Sequence, residues 1–323
     1  MTGQNIARHA KQASKETKKS TTPSQDDMAL SETLKLLFNI THFYPHTAEA
    51  FSRSTPNIFT LISRRKDLNP PLQQPLNYLI NALINLDLEE VKPGKENPLF
   101  PAKDPKCHAG NLIKILERAV TVYPEEELDQ LVAPLVTLLR KVYELSPEVV
   151  QTYMQWLILP SDDERNKPIG RSDTLSSRLL RLSTSPMTPT LRDNLSSLFY
   201  ELSGKDAENF VDNIGYGFAS GFLMTHNLQT PKNVTSQSRS ESEERRRAEA
   251  RKTRRHTAFP VNPVTGQKVS AEPVRDNQPK MTEAEKQREA EKLFVLFERY
   301  VATTLSVGPQ VAPLIYDMLD VVD

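Results

Sequence analysis

A single cysteine, Cys107, stands in 323 residues. No internal disulfide and no cysteine-rich zinc site can form from it, and a reducing compartment fits that usage. An excess of charge is also missing. Lys plus Arg and Asp plus Glu both number 41, so no global field steers the chain to nucleic acid or to an anionic membrane. No run approaches the roughly 18 apolar residues of an integral membrane segment. The lysine-rich N-terminus has no signal-peptide core. A soluble, cytoplasmic protein is the expectation. Glycine is scarce at 10, which argues against many tight β-turns. The histidines, His9, His42, His46, His108, His226 and His256, have no metal-ligand spacing among themselves or with Cys107. Nucleophile elbow, P-loop and His-Glu-x-x-His are all missing. The expectation is therefore no enzyme, no metal and no cofactor.

Proline is plentiful at 24. Pro56, Pro124, Pro147 and Pro189 each precede an apolar-periodic run, the place where proline starts helices. From Met28 a helical face reads Leu30, Leu34, Leu37, Phe38 and Thr41. Further helices are predicted over 57–66, 71–86, 107–122, 125–145, 147–159, 173–183, 189–203 and 205–227. Ser146 and Thr188 are the predicted N-caps before Pro147 and Pro189. No period-two alternation competes. The fold class is all-α, and helices joined by short turns suit an armadillo/HEAT-like helical superhelix over residues 28–227. No unit repeats closely enough to name the repeat, so a compact irregular bundle stays open.

Around that body, residues 1–27 read as a flexible arm. Residues 228–260 are nearly devoid of apolar side chains and read as a disordered charged linker. Residues 261–323 read as a tail carrying two docking helices. Its turn, Asn262-Pro263-Val264-Thr265-Gly266, is expected to lie outside the main helical body. Beyond it, Thr282 and Glu285 form a capping box, and Leu293, Phe294, Phe297, Tyr300 and Val301 make one helical stripe. That stripe either docks on a partner or caps its own solenoid.

Asn77, Asn81 and Asn85 recur every four residues on one helix face, and Asn39 extends the row. Carboxamides in a row can bond the backbone of a bound segment whatever its side chains; the alternative is a solvated face. Gly215, Gly217 and Gly221 lack the strand of a phosphate loop, so close helix packing is the reading. The basic run Arg245–Arg255 is diluted by Glu241, Glu243, Glu244 and Glu249. It reads as solvated linker, with nuclear import and nucleic-acid contact as the competing ideas.

Segments in a fixed order carry a resemblance. They are Ala29–Thr41, Leu79–Leu86, Ser177–Leu182, Asn213–Gly217 and Asn262–Gly266. Together they resemble the synembryn family, chaperones and guanine nucleotide exchange factors for heterotrimeric G-protein α subunits, over about residues 29 to 300. The resemblance implies a superhelix that grips the C-terminal helix of a nucleotide-free or GDP-bound Gα. Tail elements would wrap its GTPase domain, with GDP release following without covalent chemistry. It also implies phosphorylation in the acidic linker, for which Ser238 and Ser240, each with Glu three residues on, are the candidates. The cell cortex joins the cytoplasm as an implied location. Family members are longer, and their N-terminal repeats build much of the groove. The expectation is Gα contact, with exchange impaired by the missing N-terminal repeats. A scaffold holding an unrelated helical peptide is the alternative.

Overall fold

A computed structural model of the chain describes residues 2–12, 25–65, 69–88, 97, 99–229 and 261–271, with Arg288 and Lys292. Among these residues the fold is all-α, with twelve helices and no strand. They are α1 (Thr2–Gln12), α2 (Gln25–Phe43), α3 (Ala48–Ser52), α4 (Thr55–Arg65), α5 (Leu76–Asn85) and α6 (Cys107–Val122). After these come α7 (Glu125–Leu145), α8 (Glu148–Ile158), α9 (Leu175–Leu182), α10 (Pro189–Leu202), α11 (Ala207–Ile214) and α12 (Tyr216–Thr225).

The helices form two rows. In one, α2 lies beside α5, α5 beside α7 and α7 beside α10; in the other, α1, α4 and α6 lead to α8 and α9. Each row buries the apolar stripe of its members against the other. Leu34, Leu79, Leu135 and Leu198, one from each helix of the first row, are fully buried. At ~2 kcal/mol per buried leucine, such stripes are the main source of cohesion. The aromatic group Tyr200, Phe210 and Phe222 then joins α10 to α11 and α12, with ring centroids 5.3 to 5.6 Å apart.

The first row is parallel, and its cross-links say so. Near the N-terminal ends, the Asp129 carboxylate on α7 accepts the Leu191 amide of α10 at 2.7 Å. Near the C-terminal ends, Arg140 of α7 pairs with Glu201 of α10 at 2.6 Å. Lys141 donates to the Ile84 and Leu86 carbonyls at 3.1 and 2.6 Å, so α7 supplies a cation to the C-terminus of α5. Parallel neighbours need an intervening helix to bring the chain back, and the second row provides it.

Five expectations are corrected. Residues 2–12, expected as part of a flexible arm, form α1. Its apolar positions Ile6 and Ala10 are buried against α2 and α4; the spacing i, i+4 was there, hidden among lysines and glutamines. The helix expected over 205–227 is two helices, because Gly215 takes φ 74° and turns the chain between α11 and α12. Thr188 makes no cap bond; Asp129, distant in sequence, serves α10 instead. Ser146 closes α7, donating to the Tyr143 carbonyl at 2.8 Å, and Pro147 is the N-cap of α8. The turn at 262–266 lies against the helical body instead of outside it. The linker at 230–260 and the helix at 282–305 fall outside the described residues, apart from Arg288 and Lys292.

Candidate functional site: a polar row and a docked strap

The exposed side of the first row carries the asparagines singled out in the sequence. Asn39 of α2 is exposed and Asn77, Asn81 and Asn85 of α5 are half-buried. Two of them are engaged locally. Asn77 accepts the Tyr78 amide at 2.8 Å, and Asn85 donates to the Phe38 carbonyl at 3.4 Å, tying α5 to α2. The Asn81 carboxamide makes no hydrogen bond to the described residues. On the same two helices, the Lys35 ammonium of α2 lies 5.0 Å from the centre of the Tyr78 ring of α5. Farther along, Arg140 also reaches Asn194 at 3.2 Å. The face thus presents amide groups together with the Lys35–Glu32 and Arg140–Glu201 ion pairs across four parallel helices. At its C-terminal edge a groove of ≈ 480 Å³ opens between His46, Glu49, Asn85, Lys141 and Glu144. Such a face can hydrogen-bond a helix or an extended segment.

No group of three or more His, Cys, Asp or Glu that would suit a metal occurs among the described residues. Burial and the Asp104 charge push the Cys107 thiol up, away from the thiolate that a nucleophile needs. No described helix is long and apolar enough to cross a membrane.

The second feature is the strap, residues 261–271. Its turn closes on itself: the Asn262 side-chain oxygen accepts the Val264 and Thr265 amides at 2.8 and 3.3 Å. The Gly266 amide reaches the Asn262 carbonyl at 2.8 Å. The body then meets it backbone to backbone. The amides of Tyr216 and Gly217, at the start of α12, donate to the carbonyls of Pro263 and Val264 at 2.7 and 3.2 Å. These are N–H groups that a helix start leaves without intrahelical partners, so the strap completes α12. Ile169 donates to the Thr265 carbonyl at 3.2 Å, and Lys268 donates to the Arg165 carbonyl at 2.7 Å.

Arg165 is the hub. It is 1% exposed, and its guanidinium donates to the carbonyls of Asp212, Asn213 and Gly266 at 3.2, 2.8 and 3.1 Å. Burial pushes its pKa down, while the charges of Asp162, Asp212 and Glu164 oppose the shift. The loop bearing it is itself fixed. Burial pushes the Glu164 carboxyl up, but hydrogen bonds from Thr174, Ser161 and Ser172 more than offset this, and the group stays below its usual range. Gly-Tyr-Gly and Asn-Pro-Val-Thr-Gly, two separate motifs in the sequence, are therefore the two halves of one contact. The close-packing reading of the glycines needs a correction. A Cβ on Gly221 would meet open space, whereas one on Gly215 would come within 2.9 Å of the Val264 carbonyl oxygen. Gly215 makes room for the strap.

Leu293, Phe294 and Phe297 and the candidate phosphorylation sites Ser238 and Ser240 lie outside the described residues. Two features escaped the sequence reading. Arg165 gave no signal, being one arginine in a polar loop. The other is an aromatic patch on α8, where Trp156 is 74% exposed and stacks on Tyr153 at 6.4 Å. Its signal was present. Val149, Tyr153 and Trp156 make a second stripe opposite Val150, Met154 and Ile158, the buried face of α8.

The comparisons with known proteins bear on this architecture. Residues 1–307 match the family model described as guanine nucleotide exchange factor synembryn. The chain belongs to the synembryn family. A synembryn-like chaperone of Schizosaccharomyces pombe is 23% identical over 150 residues, covering 46% of this chain and 28% of that protein. The chaperone Ric-8A of Macaca fascicularis is 27% identical over 297 residues, 86% of this chain and 52% of its own length. The Rattus norvegicus chaperone Ric-8A is 28% identical over 193 residues, 58% of this chain and 33% of its own. This synembryn-family chain thus spans about half the length, or less, of the curated relatives it matches. The family match takes in α1, where the sequence alone predicts a flexible arm.

Proposed function

We propose that the chain binds a heterotrimeric G-protein α subunit in its nucleotide-free or GDP-bound state, as chaperone and guanine nucleotide exchange factor. In this reading the helical body is an armadillo/HEAT-like solenoid. The observation that carries the proposal is the family match over residues 1–307, laid over a parallel row whose exposed face bears Asn39, Asn77, Asn81 and Asn85. The row receives the C-terminal helix of Gα. Asn39 and Asn81, which make no hydrogen bond across the row, contact its backbone. Holding that helix away from the GTPase domain loosens the GDP site, so exchange needs no covalent step. The same grip shelters a newly made Gα. Leu293, Phe294 and Phe297 add a second contact from the tail, and phosphate on Ser238 or Ser240 tightens the complex. The chain acts in the cytoplasm and at the cell cortex.

The test is capture of purified Gα by the immobilised full chain, with Gα either nucleotide-free or loaded with a non-hydrolysable GTP analogue. Capture of the nucleotide-free form and not the GTP-analogue form is expected. Capture of neither form would leave a scaffold for an unrelated helical peptide as the better account.

A further inference from the structure

The strap has the makings of a ligand in its own right. The turn is held by its own hydrogen bonds, from the Val264 and Thr265 amides to the Asn262 side chain and from Gly266 to the Asn262 carbonyl. Pro263 fixes one of its dihedrals. A turn preorganised in this way loses little further entropy on docking. The surface that receives it presents donors in a set geometry: the Tyr216 and Gly217 amides at the α12 N-terminus, the Ile169 amide and the Arg165 guanidinium. This is how backbone recognition of a peptide is built, and it differs from a shared apolar core. Val264 and Val269 remain 51% and 49% exposed, and Val261 is the buried apolar side chain of the strap. Both partners have glycine at the tightest points. Gly266 takes φ 66°, and a Cβ there would come within 2.6 Å of Ile169 Cδ1; the matching approach on the body is at Gly215.

We propose that Arg165, Ile169 and the N-terminus of α12 form a binding site for the Asn262–Gly266 turn. The site holds the root of the C-terminal tail to the helical body without the chain that connects them. The occupant is this chain's own segment. Ala271, the last residue of the strap, is then held at the helical body. A tether with a fixed root gives its far end a high effective concentration at sites within reach. That consequence rests on the Gα reading, in which the tail supplies a second contact; the binding claim itself does not.

The experiment uses the full chain with a recognition sequence for a specific protease inserted between Arg247 and Ala248. After cleavage under native conditions, the piece beginning at Ala248 is expected to co-elute with the helical body on size exclusion. Gly266→Val lies in the strap itself and not in the body. It is expected to weaken the association at least tenfold, so that the two pieces separate, while the uncut variant keeps its helical circular dichroism. Phe294→Ala with Phe297→Ala is expected to leave the pieces together, which assigns the retention to the strap and not to the tail helix. Separation of the wild-type pieces on cutting overturns the site, as does undiminished association with Gly266→Val. Capture of nucleotide-free Gα by the uncut chains gives the second reading: the wild type should exceed Gly266→Val. If neither captures Gα, the Gα proposal fails while the co-elution result decides the strap site independently.

Discussion

At the scale of single residues, Arg165 is where the most depends on one side chain. Its guanidinium serves carbonyls from the α11 end and from the strap, so one cation joins segments 101 residues apart in the chain. Arg165→Met preserves the aliphatic volume but leaves the Asp212, Asn213 and Gly266 carbonyls without these donors. A lost hydrogen bond to a charged group costs about 1.5–3 kcal/mol, and buried carbonyls left unpaired add to it. A loss of about 3 kcal/mol in unfolding free energy is expected from urea titration, with Arg165→Lys recovering only part because one ammonium cannot reproduce the planar fork. A change under about 0.5 kcal/mol would show that the strap and loop find other donors. Asn81 stands at the opposite extreme. With no hydrogen bond to the described residues, it costs the fold little to change and is informative about binding alone.

At the scale of elements, α1 shows what local pattern conveys and what it conceals. The helix docks through Ile6 and Ala10, and His9 beside them is 4% exposed. Burial pushes the His9 pKa down; Arg8 and Arg65 push the same way, and Asp26 and Asp27 oppose them. A histidine lowered in the folded state contributes stability above its unfolded value, near 6.5, and loses it as pH falls below that value. Amide protection in α1 is therefore expected to drop between about pH 7.5 and 5.5, after correction for intrinsic exchange, while protection in α7 holds. Equal protection of α1 at both values would show that His9 does not govern docking.

Long elements with apolar periodicity were plain in the sequence. Helix α7 begins after Pro124 and ends at Leu145 as the pattern requires, and Pro134 inside it does not break it. Shorter pieces were harder. The division of α11 from α12 depends on Gly215 at positive φ, and the need for that conformation comes from the strap, about fifty residues onward. The side chain that accepts an amide in the first turn of α10 is Asp129 of α7, which no local reading can supply. For the site, the asparagine spacing was visible and the strap contact was not. Nothing in two short glycine-containing motifs says that they touch. The buried role of Arg165 depends wholly on that contact.

At the scale of the whole molecule, α1, α2 and α4 to α10 stack in two rows, with α11 and α12 packed against α10 and the strap against the start of α12. The parallel row α2, α5, α7 and α10 is cross-linked at both ends by Asp129, Arg140 and Lys141. The Asn85 bond to the Phe38 carbonyl holds α5, which carries Asn81, to α2, which carries Lys35 and Asn39, and a preorganised face is what recognition of a helix or extended segment needs. The central claim is that this face is the Gα-binding surface. The direct measurement is the affinity of nucleotide-free Gα for the full chain and for Asn39→Arg with Asn81→Arg, read by biolayer interferometry. Neither asparagine ties one helix to another, so the melting temperature should stay within a few degrees of the wild type. At least a tenfold weaker Kd is the expected result, since bulk and charge placed in the centre of a contact typically cost 1.4 kcal/mol or more, at about 1.4 kcal/mol per tenfold. An unchanged Kd in a folded double variant would contradict the claim and move the binding surface off the row.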